Sequence, residues 1–279
     1  MDPSSHKHPE KVPSWSIVLS FYNREQLLPQ SIESCLRQTY TDFELVLVDD
    51  GSTDNSVAVA RRYVKDDPRV RLIEHAHNRG ICAGYTTAYD AALGSYILRM
   101  CSDDFLEPQA IETFDQVYAA HPEVALVNSN LVWVTFDGGY VGTLDAQDPQ
   151  NFDPVCNRLG LSFAITKNAW RAVRPFDERC AGAEDFDLLV RILEQFPGRK
   201  ATGKPLYNVR IEGPRVSSNA GLMDRGLTHM HFKRKCRAFR RSPTNVRLIG
   251  SLIKCLCRKT IGEINYASRK FRINSTGSK

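Results

Sequence analysis

The chain has 279 residues, 42% of them hydrophobic and 9% aromatic, with 37 basic and 32 acidic side chains and a net charge of +5. That balance fits one large globular domain, or one domain with a tail, and excludes a disordered or collagen-like chain. No apolar run reaches the roughly 18–20 residues of a membrane-spanning helix, and residues 1–13 read as a polar, flexible segment without the apolar core of a signal peptide.

Trp15-Ser16-Ile17-Val18-Leu19-Ser20 reads as a first strand running into Phe21-Tyr22-Asn23-Arg24-Glu25, and Leu27, Leu28, Ile32 and Leu36 follow at helical spacing. Leu45 to Val48 is an apolar run that stops at Asp49, Asp50 and the turn Gly51-Ser52-Thr53-Asp54. Asp54 is placed to cap a helix over Ser56 to Lys65. Val70 to Glu74 is a third strand, leading to Asn78-Arg79-Gly80 and a small-residue helix through Ala92. A fourth strand, Tyr96 to Met100, ends at Cys101-Ser102-Asp103-Asp104. Strands alternating with helices of ten to fifteen residues predict βαβ units and a parallel sheet, whose ligands bind beyond the C-terminal strand ends. Two of the four strands end there in acidic pairs.

Farther along, Val124 to Val127 and Leu131 to Phe136 read as two strands, followed by a turn at Asp137-Gly138-Gly139-Tyr140. The polar stretch Asp145 to Pro154 reads as a long loop of the kind that often carries function. Ser162 to Ile165 reads as a strand, with a helix from Asn168. Gly182-Ala183-Glu184-Asp185 then opens an amphipathic helix over Phe186 to Leu193, which puts Asp185 at a helix N-terminus, where the dipole favours its anionic form and Glu184 opposes it.

The segments SFYNRE, ELVLVDDGSTDNS, NRG, GSYILRMCSDDFLEP, FDERCAGAEDFDLLVRI and PLYNVRIEG occur in one order across Ser14 to Ser218. In this the chain resembles family 2 of the glycosyltransferases, the inverting group with the GT-A fold. The resemblance implies an α/β GT-A domain, mostly parallel nucleotide-binding sheet with flanking helices, over residues 14–220. It implies transfer of a sugar from a nucleotide-diphosphate donor, a UDP-sugar favoured, to a saccharide or lipid-linked acceptor, as in polysaccharide biosynthesis. By the same resemblance Asp50 accepts a hydrogen bond from the nucleotide base, Asp49 supports its turn, and Ser20, Tyr22 and Arg24 cradle the nucleoside. Asp103 matches the second acid of the family's DxD motif and would hold Mg or Mn at the diphosphate. Asp185 matches the catalytic base, with Glu184 beside it in the nucleotide-sugar site.

Three positions depart from the family pattern. Cys101 replaces the first acid of DxD, and a thiol is a poor ligand for magnesium. Tyr85-Thr86 replaces an Arg-Asn pair, and Glu212 replaces a histidine. These changes support an alternative, a catalytically reduced glycosyltransferase-like binding or assembly protein. A nucleotidyltransferase is disfavoured because no Gly-rich loop with a partner lysine follows the first strand.

Charge is divided unevenly along the chain. Residues 225–279 carry 15 Lys and Arg against Glu263 alone, a net +14, while the first 224 residues carry a net −9. Residues 221–279 therefore read as a basic helical extension, with an apolar face from Val246, Leu248, Ile249, Leu252, Ile253 and Leu256. Such a segment lies on an anionic membrane surface or packs on the catalytic domain. No nucleic-acid recognition motif accompanies the charge. The eight cysteines are scattered and read as reduced thiols, Cys255 and Cys257 included, which favours a cytoplasmic setting, peripheral to the inner face of a membrane.

Overall fold

The structure, a computed structural model, describes residues 12–145, 162–196, 198–211 and 229. Packing divides the chain into two compact units, residues 1–175 with 188–213, and residues 176–187 with 214–279.

The first unit is built on the sheet. Its elements in order are β1 (Trp15–Phe21), α1 (Leu28–Leu36), β2 (Phe43–Asp49), α2 (Ser56–Asp66), β3 (Val70–Glu74), α3 (Ile81–Ala91), β4 (Tyr96–Cys101), β5 (Phe105–Leu106), α4 (Ala110–Ala120), β6 (Leu126–Val134), β7 (Tyr140–Leu144), β8 (Phe163–Thr166), α5 (Lys167–Val173), and β9 (Arg199–Arg210). Helix α6 (Glu184–Gln195) precedes β9 in sequence. The strand order is β3-β2-β1-β4-β8-β6-β9-β5, with β7 paired to β6. β3, β2, β1 and β4 are all parallel. β8 runs antiparallel to both β4 and β6, while β9 runs parallel to β6.

Why these strands form follows from burial. All seven residues of β2 are buried, and six of the seven in β1, as expected for parallel strands covered on both faces. Ile17, Leu19, Phe21, Leu45 and Leu47 share an apolar cluster with Leu28 and Ile32 of α1 and Ile111, Phe114 and Tyr118 of α4. Each such side chain, fully buried, contributes about 1.5–3 kcal/mol. The alternate residues Val18, Val46 and Val48 point to the opposite face, where α3 packs on β1 and β2. Helix α3 comes close because Gly84 has no side chain. A Cβ there would lie 2.1 Å from Ser20 Oγ and 3.2 Å from Ser20 Cβ, so Gly84→Ala requires the Ser20 hydroxyl to swing away.

The second half of the sheet differs from the sequence reading in one respect. Val124 to Val127 and Leu131 to Phe136 are not two strands but one, β6, over Leu126–Val134. Its register with β9 shifts around Asn130, so the polar Asn128-Ser129-Asn130 stretch that reads as a break is an irregularity within a continuous strand. Ser129 and Ser162 pair their hydroxyls at 2.5 Å, which satisfies both groups inside the sheet. Among the described residues no helix is long and apolar enough to cross a membrane.

Candidate active site

The loops leaving β1 and β2 are laced to each other. Asn23 donates its amide to Ser52 Oγ (3.0 Å) and accepts from the Thr53 amide (2.8 Å), Arg24 N donates to Ser56 Oγ (2.7 Å), and Asn55 N donates to Glu25 (3.0 Å). Asn23 adopts φ +52°, a left-handed conformation that asparagine tolerates. Helix α2 takes Asn55 as its N-cap, and Asp54 Oδ1 accepts from the Ser56 amide at 2.9 Å. Tyr22 is 40% exposed and so stands outside the core. Ser20 is half-buried against Gly84.

The two aspartates of the β2 turn have separate partners. Asp49 accepts from the amides of Gly51 and Ser52, both at 3.1 Å, and so holds the turn. Gly51 has φ +73°, and a Cβ there would meet the His77 backbone at 2.5 Å. Asp50, 3% exposed, receives three donors: His75 Nδ1 (2.8 Å) and Arg79 N (3.0 Å) at Oδ1, and Gly80 N (2.7 Å) at Oδ2. Since a carboxylate only accepts, His75 must carry its proton on Nδ1, and Nε2, 3.0 Å from Thr87 Oγ1, accepts from that hydroxyl in the neutral ring. An ionised carboxylate has about four acceptor positions, so one remains on Asp50 Oδ2 for a ligand N–H.

The β4 turn is supported from behind. Cys101 N donates to Tyr207 Oη (2.8 Å), Ser31 Oγ donates to the Asp104 carbonyl (2.6 Å), and Arg210 N donates to Asp104 Oδ1 (3.0 Å). Arg210 spreads its guanidinium over the Asp103 carbonyl (2.5 Å), the Phe136 carbonyl (3.2 Å) and Gln30 Oε1, and lies 5.1 Å above the Phe105 ring. Desolvation lowers the Arg210 pKa from its usual value, while Asp104 and Asp103 counteract. Among the described residues the Asp103 carboxylate accepts no hydrogen bond. Cys101 Sγ, Asp103 and Asp104 offer ligand atoms all within 4.8 Å of one another. The two carboxylates suit a hard divalent ion, and the thiol does not. Enclosure pushes the Cys101 thiol up to about 12; Arg99 opposes that rise and the two aspartates add to it. Tyr85, at the position of the missing arginine, is a core residue. Its hydroxyl donates to the Met100 carbonyl (2.9 Å), and the buried Arg99 guanidinium lies 4.3 Å over its ring.

In the second unit, a 3-10 turn over Glu178–Cys180 leads to Gly182 (φ +86°) and the start of α6. Glu184 Oε2 accepts from the Gly182 amide at 2.8 Å. Asp185, 7% exposed in the first turn of α6, accepts from the Phe186 amide at 2.7 Å, and Asp187 is fully buried.

Ser20, Tyr22, Arg24, Asp49, Asp50 and Asp103 thus fall at the C-terminal ends of three adjacent strands, β2, β1 and β4. Glu184 and Asp185 belong to the second unit. Glu212, most of the Asp145 to Pro154 loop, the Val246 to Leu256 face, and Cys255 and Cys257 lie outside the described residues. Sequence reading missed His75, Tyr207 and Arg210. Tyr207 and Arg210 both lie inside PLYNVRIEG, a segment read for Glu212, whereas His75 falls between the strand ending at Glu74 and Asn78-Arg79-Gly80, outside both.

The chain matches the sequence description of Glycosyl transferase family 2 over residues 16–159, just over half its length. It belongs to that family. Within glycosyl transferase family 2 it is 30% identical over 213 residues to a chondroitin synthase of Escherichia coli, an alignment that covers 75% of this chain. The chain spans only 30% of that relative's length. Its fold matches S. aureus TarS in complex with UDP-GlcNAc with a TM-score of 0.67 at 16% identity, over 89% of this chain and 81% of that one. It also matches the mannosyltransferase PcManGT of Pyrobaculum calidifontis, in complex with GDP-Man and Mn2+, with a TM-score of 0.60 at 17% identity, over 94% and 81% of the two chains. The fold of this family 2 member is therefore the GT-A fold.

Proposed function

We propose that the protein transfers a sugar from a nucleotide-diphosphate sugar, a UDP-sugar favoured, to a hydroxyl of a saccharide or lipid-linked acceptor, with inversion at the anomeric carbon. The observation that carries this is the strand order β3-β2-β1-β4, which puts two acidic turns on either side of β1 at the C-terminal edge of a parallel sheet. That edge is where open α/β sheets bind ligands.

Each turn then has one task. Asp50, fixed by His75, Arg79 and Gly80, offers its remaining Oδ2 position to the N–H of a uracil-type base. Tyr22 is exposed at the end of β1 and can stack on that base. Asp103, with Asp104 beside it, would hold a divalent cation, Mg or Mn, which supplies charge neutralisation at the departing diphosphate. Asp185 takes the proton from the acceptor hydroxyl as it attacks the anomeric carbon, the general-base step that inversion requires. Glu184 fixes the turn before it through the Gly182 amide.

Cys101 favours the second reading, a binding protein with reduced catalysis, because it leaves the DxD turn one acid short. Two carboxylates nevertheless remain at that turn, and the base-side turn is fully formed, so transfer is the better reading. The +14 of residues 225–279 supports a cytoplasmic protein held at an anionic membrane face, where lipid-linked acceptors reside. Assay of nucleotide release from a panel of UDP- and GDP-sugars, with Mn2+, with Mg2+ and with chelator, tests the proposal. Metal-dependent turnover of a nucleotide sugar supports it, and binding without turnover of any donor would favour the second reading.

A further inference from the structure

Asp177, Cys180 and His229 meet in the second unit, and none of the three has a role in the function proposed above. A carboxylate oxygen, the Cys180 Sγ and a His229 ring nitrogen all lie within 4.8 Å of one another, and His229 Nε2 is 3.7 Å from Asp177 Oδ2. Cys180 is 0% exposed and His229 8%. Cys180 is not in a disulfide. Asp177 is itself oriented by Arg179, whose Nε and Nη2 reach its two oxygens at 3.0 and 3.1 Å and whose amide donates to Oδ1 at 3.0 Å.

We propose that Asp177, Cys180 and His229 form a zinc site that ties the basic C-terminal extension to the turn carrying Asp185. One sulfur, one imidazole nitrogen and one carboxylate oxygen form a donor set that selects zinc over magnesium, and three protein ligands are what an open tetrahedral zinc site uses. In such a site the ligand atoms stand about 3.3–3.6 Å apart, given Zn–S near 2.3 Å and Zn–N or Zn–O near 2.0–2.1 Å. The 3.7 Å pair already has that spacing, and the widest separation closes by side-chain movement on the order of 1 Å. Asp177 and Cys180 come from one 3-10 turn, held by the Cys180 amide donating to the Asp177 carbonyl at 2.8 Å. Two ligands are therefore fixed locally, and only His229 must be recruited from far along the chain.

On binding, the Cys180 S–H bond breaks, an Sγ–zinc bond forms, and the proton leaves to solvent. No oxidant or reductant takes part. Arg179 plays the role that outer hydrogen-bonding partners play at metal sites, holding the carboxylate in place. Because Asp185 begins eight residues after Asp177, zinc would fix the approach to α6 without touching the reacting groups.

The test uses the full chain, freed of metal by chelator and then given Zn2+ or Co2+. We expect one Zn2+ bound per chain in the Asp103→Ala background, where the DxD turn no longer competes, together with a rise in Tm. With Co2+ we expect a thiolate-to-cobalt charge-transfer band that persists in Cys101→Ser and disappears in Cys180→Ser. If Cys180→Ser does not fold, His229→Asn serves instead, with Zn2+ affinity expected to fall at least about tenfold, as even the loss of an outer-shell partner does. Absence of the cobalt band in the wild-type chain, or its loss in Cys101→Ser but not Cys180→Ser, overturns the proposal.

Discussion

The acidic turn after β2 and the acidic turn after β4 lie one strand apart, yet they are held in opposite ways. At the first, the carboxylates are the anchors: Asp49 and Asp50 collect five backbone and imidazole donors between them, from Gly51, Ser52, His75, Arg79 and Gly80. At the second, the main chain is anchored, by Tyr207, Ser31 and Arg210, and the Asp103 side chain accepts nothing among the described residues. A carboxylate held by three donors, with one acceptor position left, is a rigid acceptor for one more N–H and suits the reading of a base. A carboxylate on a braced backbone but without partners suits a cation that brings its own charge. On the proposed function, the first turn would take the base end of one ligand and the second its diphosphate end.

Outside both turns, the largest effect should come from Asp185→Asn. Loss of a general base typically costs about 10²–10⁴-fold in turnover. Nucleotide binding, measured by calorimetry, should stay within twofold of wild type because both turns are intact. Wild-type turnover in this variant would remove Asp185 from its role.

Asp50→Asn sharpens the contrast between the turns. The amide NH2 must face an N–H donor at one of its two positions, since Arg79, Gly80 and His75 occupy both oxygens. Loss of a hydrogen bond to a charged group costs about 1.5–3 kcal/mol, so UDP binding should weaken by roughly 10–150-fold, with or without metal. Weakening only in the presence of metal would mean that the β2 turn does not read the base.

Arg210→Met probes the brace behind the β4 turn. The Asp103 carbonyl, the Phe136 carbonyl and Gln30 would each lose a donor. The penalty for a buried acceptor left without a partner is about 1–3 kcal/mol, to be read from chemical denaturation. Metal-dependent binding should fall while metal-independent binding of UDP holds. An unchanged midpoint would show that the guanidinium is not structural.

The smallest effect concerns pH. Desolvation, the largest single influence, raises the pKa of Asp54, but hydrogen bonds from Ser56 and Glu25 together outweigh it and lower the value, and Arg69 lowers that of Asp67. Both groups bind fewer protons folded than unfolded, so their stabilisation is complete above the ordinary carboxylate value of about 3.9 and fades as pH falls through their lower folded values. Stability measured from pH 5 downward should decline less steeply in Asp54→Asn than in wild type.

What the sequence made legible was the parallel half. β1, β2 and β4 are almost wholly buried, so their apolar runs stand out, and β2 and β4 end in acidic pairs. The residues that brace the site were not legible. Arg210 meets Asp103 across about a hundred positions, and Tyr207 meets Cys101 across 106, through the pairing of β5 with β9. Contacts set by sheet order leave no local periodicity. β6 was misread as two strands because Asn128, Ser129 and Asn130 look like a turn until their partners across the sheet are known. His75 was missed for a simpler reason, that an isolated histidine after a strand carries no signal until Asp50 is found beside it.

The central claim is that the β4 turn binds a metal at the diphosphate while the β2 turn binds the base. Calorimetry of UDP binding to wild type and Asp103→Ala, each with and without Mn2+, tests it most directly. The account predicts that Mn2+ tightens binding in the wild type and has no effect in Asp103→Ala, whose metal-free affinity equals that of the wild type. Equal tightening by Mn2+ in both proteins would contradict it.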